Sequence, residues 1–385
     1  MFLHKGINVL LSVYIKNDLF SYARKFLKTI TPKIIVRVFK NSRASESVKC
    51  HLKIKNNNHL QDIASSVSKF LRNHPESPDV QYLITIFNNN GLCALNLIDV
   101  YFLLLDKRLY EDAIRIRRYI IFKYINDFDF RRELYLIKGE CIHHSVLMEA
   151  YYYDLYDVNK SGLISKLKEV HAIDSRYNIL NKLVHQKRVC ILGPFSSDLN
   201  DLQSLIDEND VCILPNFLSG YEKYDFSNVV TISFYNEYHA KRLFIEPSLR
   251  PSMKATYHIF RSLKYYYQYR LLKEGKCGFV ESCQNFISGK NMGVQSIIRE
   301  VIKYNPISMK LVGATLFASQ NLYPDHYNTV KDDIYHALVR HDPLANFLYV
   351  KFLYDFNILE AEEITATVLR LSPQQYLKTI VNTVK

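Results

Sequence analysis

The pattern of the sequence changes near residue 187, and this change is the strongest indication of the fold. From this point short apolar runs alternate with turn residues and with segments that carry apolar residues at helical spacing. Strand, turn, helix and strand in this order predict an α/β fold with a doubly wound, Rossmann-like parallel sheet. Ligands of such sheets bind beyond the carboxyl ends of the strands. The runs that we predict as strands are 188–192, 210–214, 229–233, 278–280 and 309–313.

The chain before this point has the pattern of helices. Apolar side chains recur there at intervals of three and four residues, with charged and polar residues between them. We therefore divide the chain into an all-helical, basic N-terminal region at residues 1–180 and an α/β domain with C-terminal helices at residues 181–385. The helices predicted in the first region are 18–35, 60–71, 79–89, 95–106, 109–125 and 130–156.

Positive charge is concentrated at the N-terminus. Residues 1–72 carry fourteen Lys or Arg against three acids, which gives +11 out of a total net charge of +12. A block of this kind attracts an anionic membrane surface or nucleic acid. A solvated basic face without a dedicated partner is the alternative, because charge runs often serve only solubility.

Three features indicate a cytoplasmic protein. The seven cysteines form no C-x-x-C pair, as expected of thiols in a reducing compartment. The N-terminus lacks the cationic segment and the small-residue cleavage site of a signal peptide. No run of about 18 apolar residues is present to span a bilayer. We therefore expect a cytoplasmic chain whose contact with a membrane, where it occurs, is peripheral.

The turn after the first predicted strand has the composition of an anion site. Gly193 ends the strand and is followed by Pro194, Ser196 and Ser197 ahead of a helix. Backbone amides in such a turn, together with the positive end of the helix, attract a phosphate. An ordinary strand-to-helix turn is the alternative for this segment taken alone.

The next segment supports the first interpretation. Residues 206–216 read I-D-E-N-D-V-C-I-L-P-N, and together with Gly193 they resemble the large motif of the animal-type sialyltransferases. The resemblance implies a variant of the GT-A fold, a CMP-sugar as donor, and a CMP site formed by Asn216 and the turn at 193–197. The sequence departs from the family at Leu214, where those enzymes commonly carry Arg, and in its shorter turn. A residue that caps a strand end is the alternative interpretation of Asn216.

Three later segments resemble the remaining motifs of this family, in the same order. Residues 288–293, S-G-K-N-M-G, are similar to the small motif, with Met292 where a hydroxyl residue is expected. Residues 323–327 resemble the aromatic–histidine motif. Residues 341–346 are similar to the final H-x-x-x-x-E motif, with Asn346 in place of Glu.

The resemblance assigns roles to residues in these later segments. It implies that His341 is the general base and that His326 helps to neutralise the donor phosphate. The donor contacts that it implies in the same segments are Ser288, Gly293 and Tyr327. We add Asn236 as a second donor contact, because it follows the third predicted strand at the cleft edge where Asn216 lies.

The expected reaction is a direct displacement with inversion at the anomeric carbon. CMP leaves as a phosphate monoester, so amides and a histidine suffice to stabilise its departure, and we expect neither a metal nor another cofactor. A neutral imidazole takes the proton of the acceptor hydroxyl at cytosolic pH. The donor sugar would be sialic acid-like or Kdo, and the acceptor a surface glycan or glycolipid. Residues 1–72 would then hold the enzyme at the inner face of the cytoplasmic membrane.

Two other functions fit parts of the sequence. A transferase for a nucleotide-diphosphate sugar is disfavoured because only one nucleotide-binding sheet is predicted. A helical scaffold or nucleic-acid-binding protein is supported by the basic block alone, and we expect no specific nucleic acid as a partner. Asp127 and Asp129 imitate the metal-binding D-x-D of many glycosyltransferases, but they lie in the helical half. We predict that this pair starts a helix.

Overall fold

The structure, a computed structural model, describes the second half of the chain most completely. The described residues are 94–131, 146, 148–150, 152–153, 162, 178–196, 199–216, 221, 223–246, 255–272, 276–280, 293–319 and 342–382. The basic segment 1–72 and the helices predicted at 18–35, 60–71 and 79–89 lie outside these residues, as does most of the helix predicted at 130–156.

Within the described residues the strands form one seven-stranded sheet in which every pair is parallel. The spatial order is β5-β4-β3-β2-β1-β6-β7, so the chain starts in the middle, winds outward to β5 and then crosses to β6. The predicted α/β class with a parallel sheet is therefore confirmed. The strands are β1 Arg188–Leu192, β2 Val211–Pro215, β3 Val230–Tyr235, β4 Tyr257–Phe260, β5 Cys277–Phe279, β6 Ser308–Val312 and β7 Glu360–Ala361.

The two central strands explain why the sequence pattern was informative. All of β2 and all of β1 except Arg188 are buried, as expected of parallel strands that are covered on both faces. Cys190 pairs with Cys212 in the register, and both thiols lie in the core as small hydrophobic groups. The strands β4 and β7 were not predicted. The first has four residues, one of them His258, and the second has two, so neither is long enough to show a period.

Helices cover both faces of the sheet. Alternate residues of β1 belong to different apolar clusters, Val189 and Ile191 to one and Cys190 and Leu192 to the other, because successive side chains of a strand point to opposite faces. The helices are α1 Ala94–Asp106, α2 Tyr110–Asn126, α3 Asn178–Val184, α4 Leu202–Asp207, α5 Glu237–Ile245, α6 Leu263–Leu272, α7 Gly293–Val301, α8 Pro343–Asp355, α9 Glu363–Leu369 and α10 Pro373–Asn382, and a 3-10 turn at Ile302–Tyr304 continues α7.

The helices α1 and α2 confirm the predictions at 95–106 and 109–125, and they pack against each other. Their apolar side chains belong to the same continuous core as one face of β1, β2 and β3. The domain boundary near residue 180 stays a prediction. Among the residues that the structure describes, no helix has both the length and the apolar character that a membrane span requires.

Candidate functional site

The parallel strands bring their carboxyl ends to one edge of the sheet. Two of the loops at this edge begin with Gly193 after β1 and Gly313 after β6, and two others with Asn216 after β2 and Asn236 after β3. The strand order reverses between β1 and β6, and ligands of open α/β sheets bind near such a reversal. This edge of the sheet is therefore where a ligand site is expected.

The loops after β1 and β6 are in direct backbone contact. The Gly193 amide donates to the Val312 carbonyl at 2.6 Å, and the Phe195 amide donates to the Gly313 carbonyl at 2.9 Å. A Cβ atom on Gly193 would lie 2.5 Å from the Gly313 oxygen. Gly313 has φ +64°, and a Cβ atom there would lie 2.2 Å from the Ser196 nitrogen. Both positions require glycine because the two backbones leave no space for a side chain.

The prediction that this turn offers its amides to a phosphate is wrong for residues 193–196. The amides of Gly193 and Phe195 donate to the neighbouring loop, the Ser196 amide donates to the Gly193 carbonyl at 3.2 Å, and Pro194 has no amide hydrogen. The Ser196 side chain is buried, and its hydroxyl lies 2.5 Å from that of Tyr221, with both near the Gly193 carbonyl. These groups serve the packing of the loop.

The loop after β2 holds the predicted Asn216 in an unusual conformation. Its φ is +65°, a left-handed value that asparagine tolerates better than most residues. Its amide donates to the Phe234 carbonyl at 2.8 Å, and its Oδ1 accepts from the Asn236 amide at 3.2 Å. The side chain is buried, with 6% of the residue exposed. The structure thus brings together two residues that were singled out separately in the sequence.

Asn236 begins helix α5. Its Oδ1 accepts from the His239 amide at 2.8 Å and from Nδ1 of the same residue at 2.9 Å. Burial lowers the pKa of His239 to about 4, and the nearby charge of Arg242 adds to the shift, so the imidazole is neutral at pH 7. The carboxamide oxygen of Asn236 is therefore used as a helix cap. The predicted contact of Asn236 with a donor substrate would fall to its Nδ2 group.

Gly293, also a predicted donor contact, lies near the end of β2 although it is distant in the sequence. It is the first residue of α7, and a Cβ atom on it would lie 3.6 Å from the Cβ of Pro215, the last residue of β2. Helix α7 then runs over β1, β2 and β3. Its N-terminal end, which carries a partial positive charge, is thus next to the carboxyl end of β2. Asn216 is bonded to Asn236, and Gly293 lies beside Pro215, the residue that precedes Asn216.

The predicted residues Ser197, Ser288, His326, Tyr327 and His341 lie outside the described residues. Their roles stay predictions. The neighbour of His341 in the chain, Asp342, is described and is 3% exposed. Asp342 takes part in the most extensive buried polar network of the described residues, which sequence reasoning missed.

The network is centred on Arg117 in α2. Its guanidinium group makes two hydrogen bonds to Glu149, at 2.6 and 2.7 Å, and two to Asp342, at 3.0 and 2.9 Å. A fifth bond, of 3.1 Å, goes to the Tyr101 hydroxyl. Burial raises the pKa of Glu149, and the charge of Arg117 opposes that rise. Such a network holds its members firmly, because removal of one partner leaves a charge buried without compensation.

Asp342 also starts helix α8. Its Oδ1 accepts from the Ala345 amide at 3.2 Å, and Pro343 occupies the first turn. The Tyr376 hydroxyl donates to Leu316 in the loop after β6 and approaches the Pro343 carbonyl at 3.4 Å. The start of α8 is therefore held beside the loop that follows β6.

Asn346, which stands where the resembling motif has Glu, is fully buried in this first turn of α8. Its Nδ2 donates to the Asp342 carbonyl at 2.9 Å, so it supports the helix start. The Asp–Pro pair at a helix start was a visible sequence signal for this turn. The pairing with Arg117 was not visible, because 225 positions separate the two residues.

The acidic pair in the helical half has the structural role that we predicted. Asp127 Oδ1 accepts from the Phe130 amide at 3.0 Å and so caps the short helical turn that follows. Within the residues that the structure describes, no group of His, Cys, Asp and Glu is arranged to hold a metal ion. Comparison of the chain with protein-family models, curated proteins and solved structures finds no match.

Proposed function

We propose that the chain is an inverting glycosyltransferase that uses a CMP-sugar donor on a Rossmann-like sheet of the GT-A-variant type. The observation that carries the proposal is that Gly293 lies beside Pro215, the residue that precedes Asn216. Asn216 and Gly293 belong to two segments that resemble the large and small motifs of the sialyltransferases, and each motif implies a donor contact. Their meeting at the carboxyl edge of β2 is what a shared donor site requires.

The nucleotide would bind between the loop after β2 and the first turn of α7. The phosphate is best accommodated at the N-terminal end of α7, because that end attracts anions. The amides of residues 193–196 are already donated within the protein and do not contribute. Asn216 is held by its bonds to Phe234 and Asn236, so its carboxamide has a defined orientation, and its Nδ2 group would contact the nucleotide.

The catalytic base would be His341, as the resemblance implies, with His326 near the donor phosphate. The fixed position of Asp342 supports this role, since the residue next to His341 is anchored beside the loop after β6. His341 would take the proton of the acceptor hydroxyl as its oxygen bonds to the anomeric carbon. The bond from that carbon to the CMP oxygen breaks, and CMP leaves with the electron pair. The acceptor would be a surface glycan or glycolipid. Residues 1–72 would hold the enzyme at the cytoplasmic face of the membrane, where it would reach this acceptor.

The proposal is tested by nucleotide-induced stabilisation of two Asn216 variants. At a CMP concentration a hundred times Kd, we expect wild-type protein to gain about 2.7 kcal/mol of stability, seen as a higher Tm. Asn216→Gly accepts the left-handed backbone but removes the carboxamide, so it should fold and lose most of this gain. Asn216→Asp, the matched control, keeps the oxygen that accepts from Asn236 and isolates the role of Nδ2.

Tm measurements with CMP, UDP and GDP distinguish the proposed function from the competing ones. UDP and GDP should leave Tm unchanged, since the proposed site is for a cytidine monophosphate. A wild-type protein that CMP fails to stabilise, or that UDP stabilises equally well, would contradict the proposal. An unchanged CMP response in Asn216→Gly would remove Asn216 from the site.

A further inference from the structure

Helix α7 has two chemically different sides, and both are buried. Its apolar residues recur at helical spacing and join the core over the sheet. These residues are Val294, Ile297, Ile298 and Val301. A surface helix with one apolar side normally turns its polar side to water. The polar side of α7 is instead 1 to 6% exposed, at Gln295, Ser296, Arg299 and Glu300.

The polar groups on this side differ in whether they have hydrogen-bond or ion-pair partners. Glu300 accepts from Lys303 at 2.7 Å and lies 3.6 Å from Arg299, so this carboxylate has partners. Gln295 Oε1 and Ser296 Oγ have no hydrogen-bond partner within the part of the chain that the structure describes. Buried side-chain oxygens are nearly always hydrogen-bonded, because burying one without a partner costs free energy. Two adjacent exceptions on one helix indicate a place for a ligand.

The two residues lie in the part of α7 that is nearest to the proposed donor site along the helix. Helical side chains lean towards the N-terminal end of their helix. Gln295 and Ser296 are the third and fourth residues of α7, so they lie over its first turn. That turn is the part of α7 next to Pro215 and hence to Asn216.

The unmatched atoms restrict the chemistry of the ligand. Gln295 Oε1 accepts hydrogen bonds and donates none, so a phosphate or carboxylate oxygen cannot satisfy it. A hydroxyl group donates to Gln295 and accepts from the Ser296 hydroxyl. We infer that Gln295 and Ser296 form a subsite for hydroxyl groups of the substrate, either those of the ribose or those of a sugar. The identity of the ligand as a nucleotide sugar rests on the proposed function.

The experiment combines ligand binding with the stability of the free protein. Gln295→Met and Ser296→Ala remove the unmatched atoms at similar or smaller volume. If the inference is right, each variant has a higher Tm than wild type without ligand, because a buried oxygen without a partner is gone. Each should also bind its ligand about tenfold more weakly, the equivalent of one lost hydrogen bond. If Gln295 and Ser296 instead stabilise the fold, each substitution lowers the Tm of the free protein.

Matched ligands identify the source of the hydroxyl groups. If the ribose is bound, CMP binds more tightly than 2′-deoxy-CMP in wild type and this difference disappears in Gln295→Met. If a sugar is bound, the two nucleotides bind equally, and the variant loses only the extra affinity of CMP-sialic acid over CMP. Gln203→Met is the control variant, since Gln203 has partners in Asp207 and Asp225, and it should leave all affinities unchanged.

The outcomes separate this inference from the proposed function. Absence of CMP binding by wild-type protein would overturn the proposed function. Wild-type binding with unchanged affinities in both α7 variants would overturn the subsite alone. A lower Tm of free Gln295→Met would also overturn the subsite, and this result does not depend on any ligand.

Discussion

Two halves of the same sheet edge use their polar groups in different ways. The β1–β6 half comprises the loops that begin with Gly193 and Gly313, and the β2–β3 half comprises Asn216, Asn236 and the first turn of α7. In the β1–β6 half the amides of Gly193, Phe195, Ser196, Gly313 and Ala314 donate within the protein. The β2–β3 half includes two buried side-chain oxygens that lack a partner among the described residues. The second half is therefore the better candidate for binding.

The β1–β6 half is closed from both sides. The Gly313 amide donates to the Glu362 carboxylate at 2.9 Å, and the Ala314 amide donates to the Thr365 hydroxyl at 2.9 Å. Glu362 also accepts from the first amides of α9 and so caps that helix. The amides of Gly313 and Ala314 thus donate to side chains at the start of α9, while the backbone of this loop packs against the loop after β1. A glycine after a strand can serve close packing as well as an anion site, and here it serves packing.

The largest effect is expected where the β1–β6 half is tightest. In Gly313→Ala the new Cβ atom would lie 2.2 and 2.3 Å from backbone atoms of Ser196. The alanine would also have to adopt the left-handed backbone conformation of Gly313. We expect a loss of about 5 kcal/mol or more in the free energy of unfolding, measured by urea denaturation. Gly278→Ala is the control, because the closest atom there is the flexible end of Ile259 at 3.0 Å. Equal stability of the two variants would contradict the closed arrangement.

The next largest effect concerns the network beside the start of α8. Arg117→Met removes the cation between two buried carboxylates, and we expect a loss of about 3–5 kcal/mol at pH 7. Burial already raises the pKa of Glu149, and without the opposing charge of Arg117 its protonated form is favoured further. The deficit should therefore shrink as the pH falls towards 5.

Arg118→Met provides the comparison for this variant. Arg118 is the next residue of α2, and the bond described for it is one of 3.3 Å to the Tyr153 carbonyl. We expect a smaller loss and no pH-dependent recovery. A deficit of Arg117→Met that stays constant between pH 7 and 5 would show that the buried carboxylates are not left charged.

The smallest effect is expected at His239, whose ring and amide both donate to the capping residue Asn236 in the β2–β3 half. The folded pKa of His239 is about 4, below the unfolded value near 6.5, so its contribution to stability is complete above pH 6.5 and is lost as the pH falls towards 4. His239→Asn keeps a donor for Asn236 but does not titrate. Between pH 7 and 5 we expect wild type to lose about 2 kcal/mol more than this variant. Parallel stability curves for the two proteins would mean that His239 is not held neutral.

Several elements were predictable because their signals are local. β1 was predicted with the bounds that it has, and β2 within one residue, since buried parallel strands read as continuous apolar runs. The pairing of Asn216 with Asn236 was foreseen only as a shared edge of the sheet. Gln295 and Ser296 were missed, because their sequence positions suit the solvent side of an amphipathic helix.

A parallel sheet with crossover helices could be predicted from the amino-acid order, since periodicity and turn residues act within short segments. The closed loops at the sheet edge and the buried oxygens without partners became visible only in the folded chain. Gly193 is explained by Gly313, and Asp342 by Arg117, residues far away in the chain. A pattern within one segment cannot show such pairs, because hydrogen bonds and close contacts depend on what the fold brings alongside.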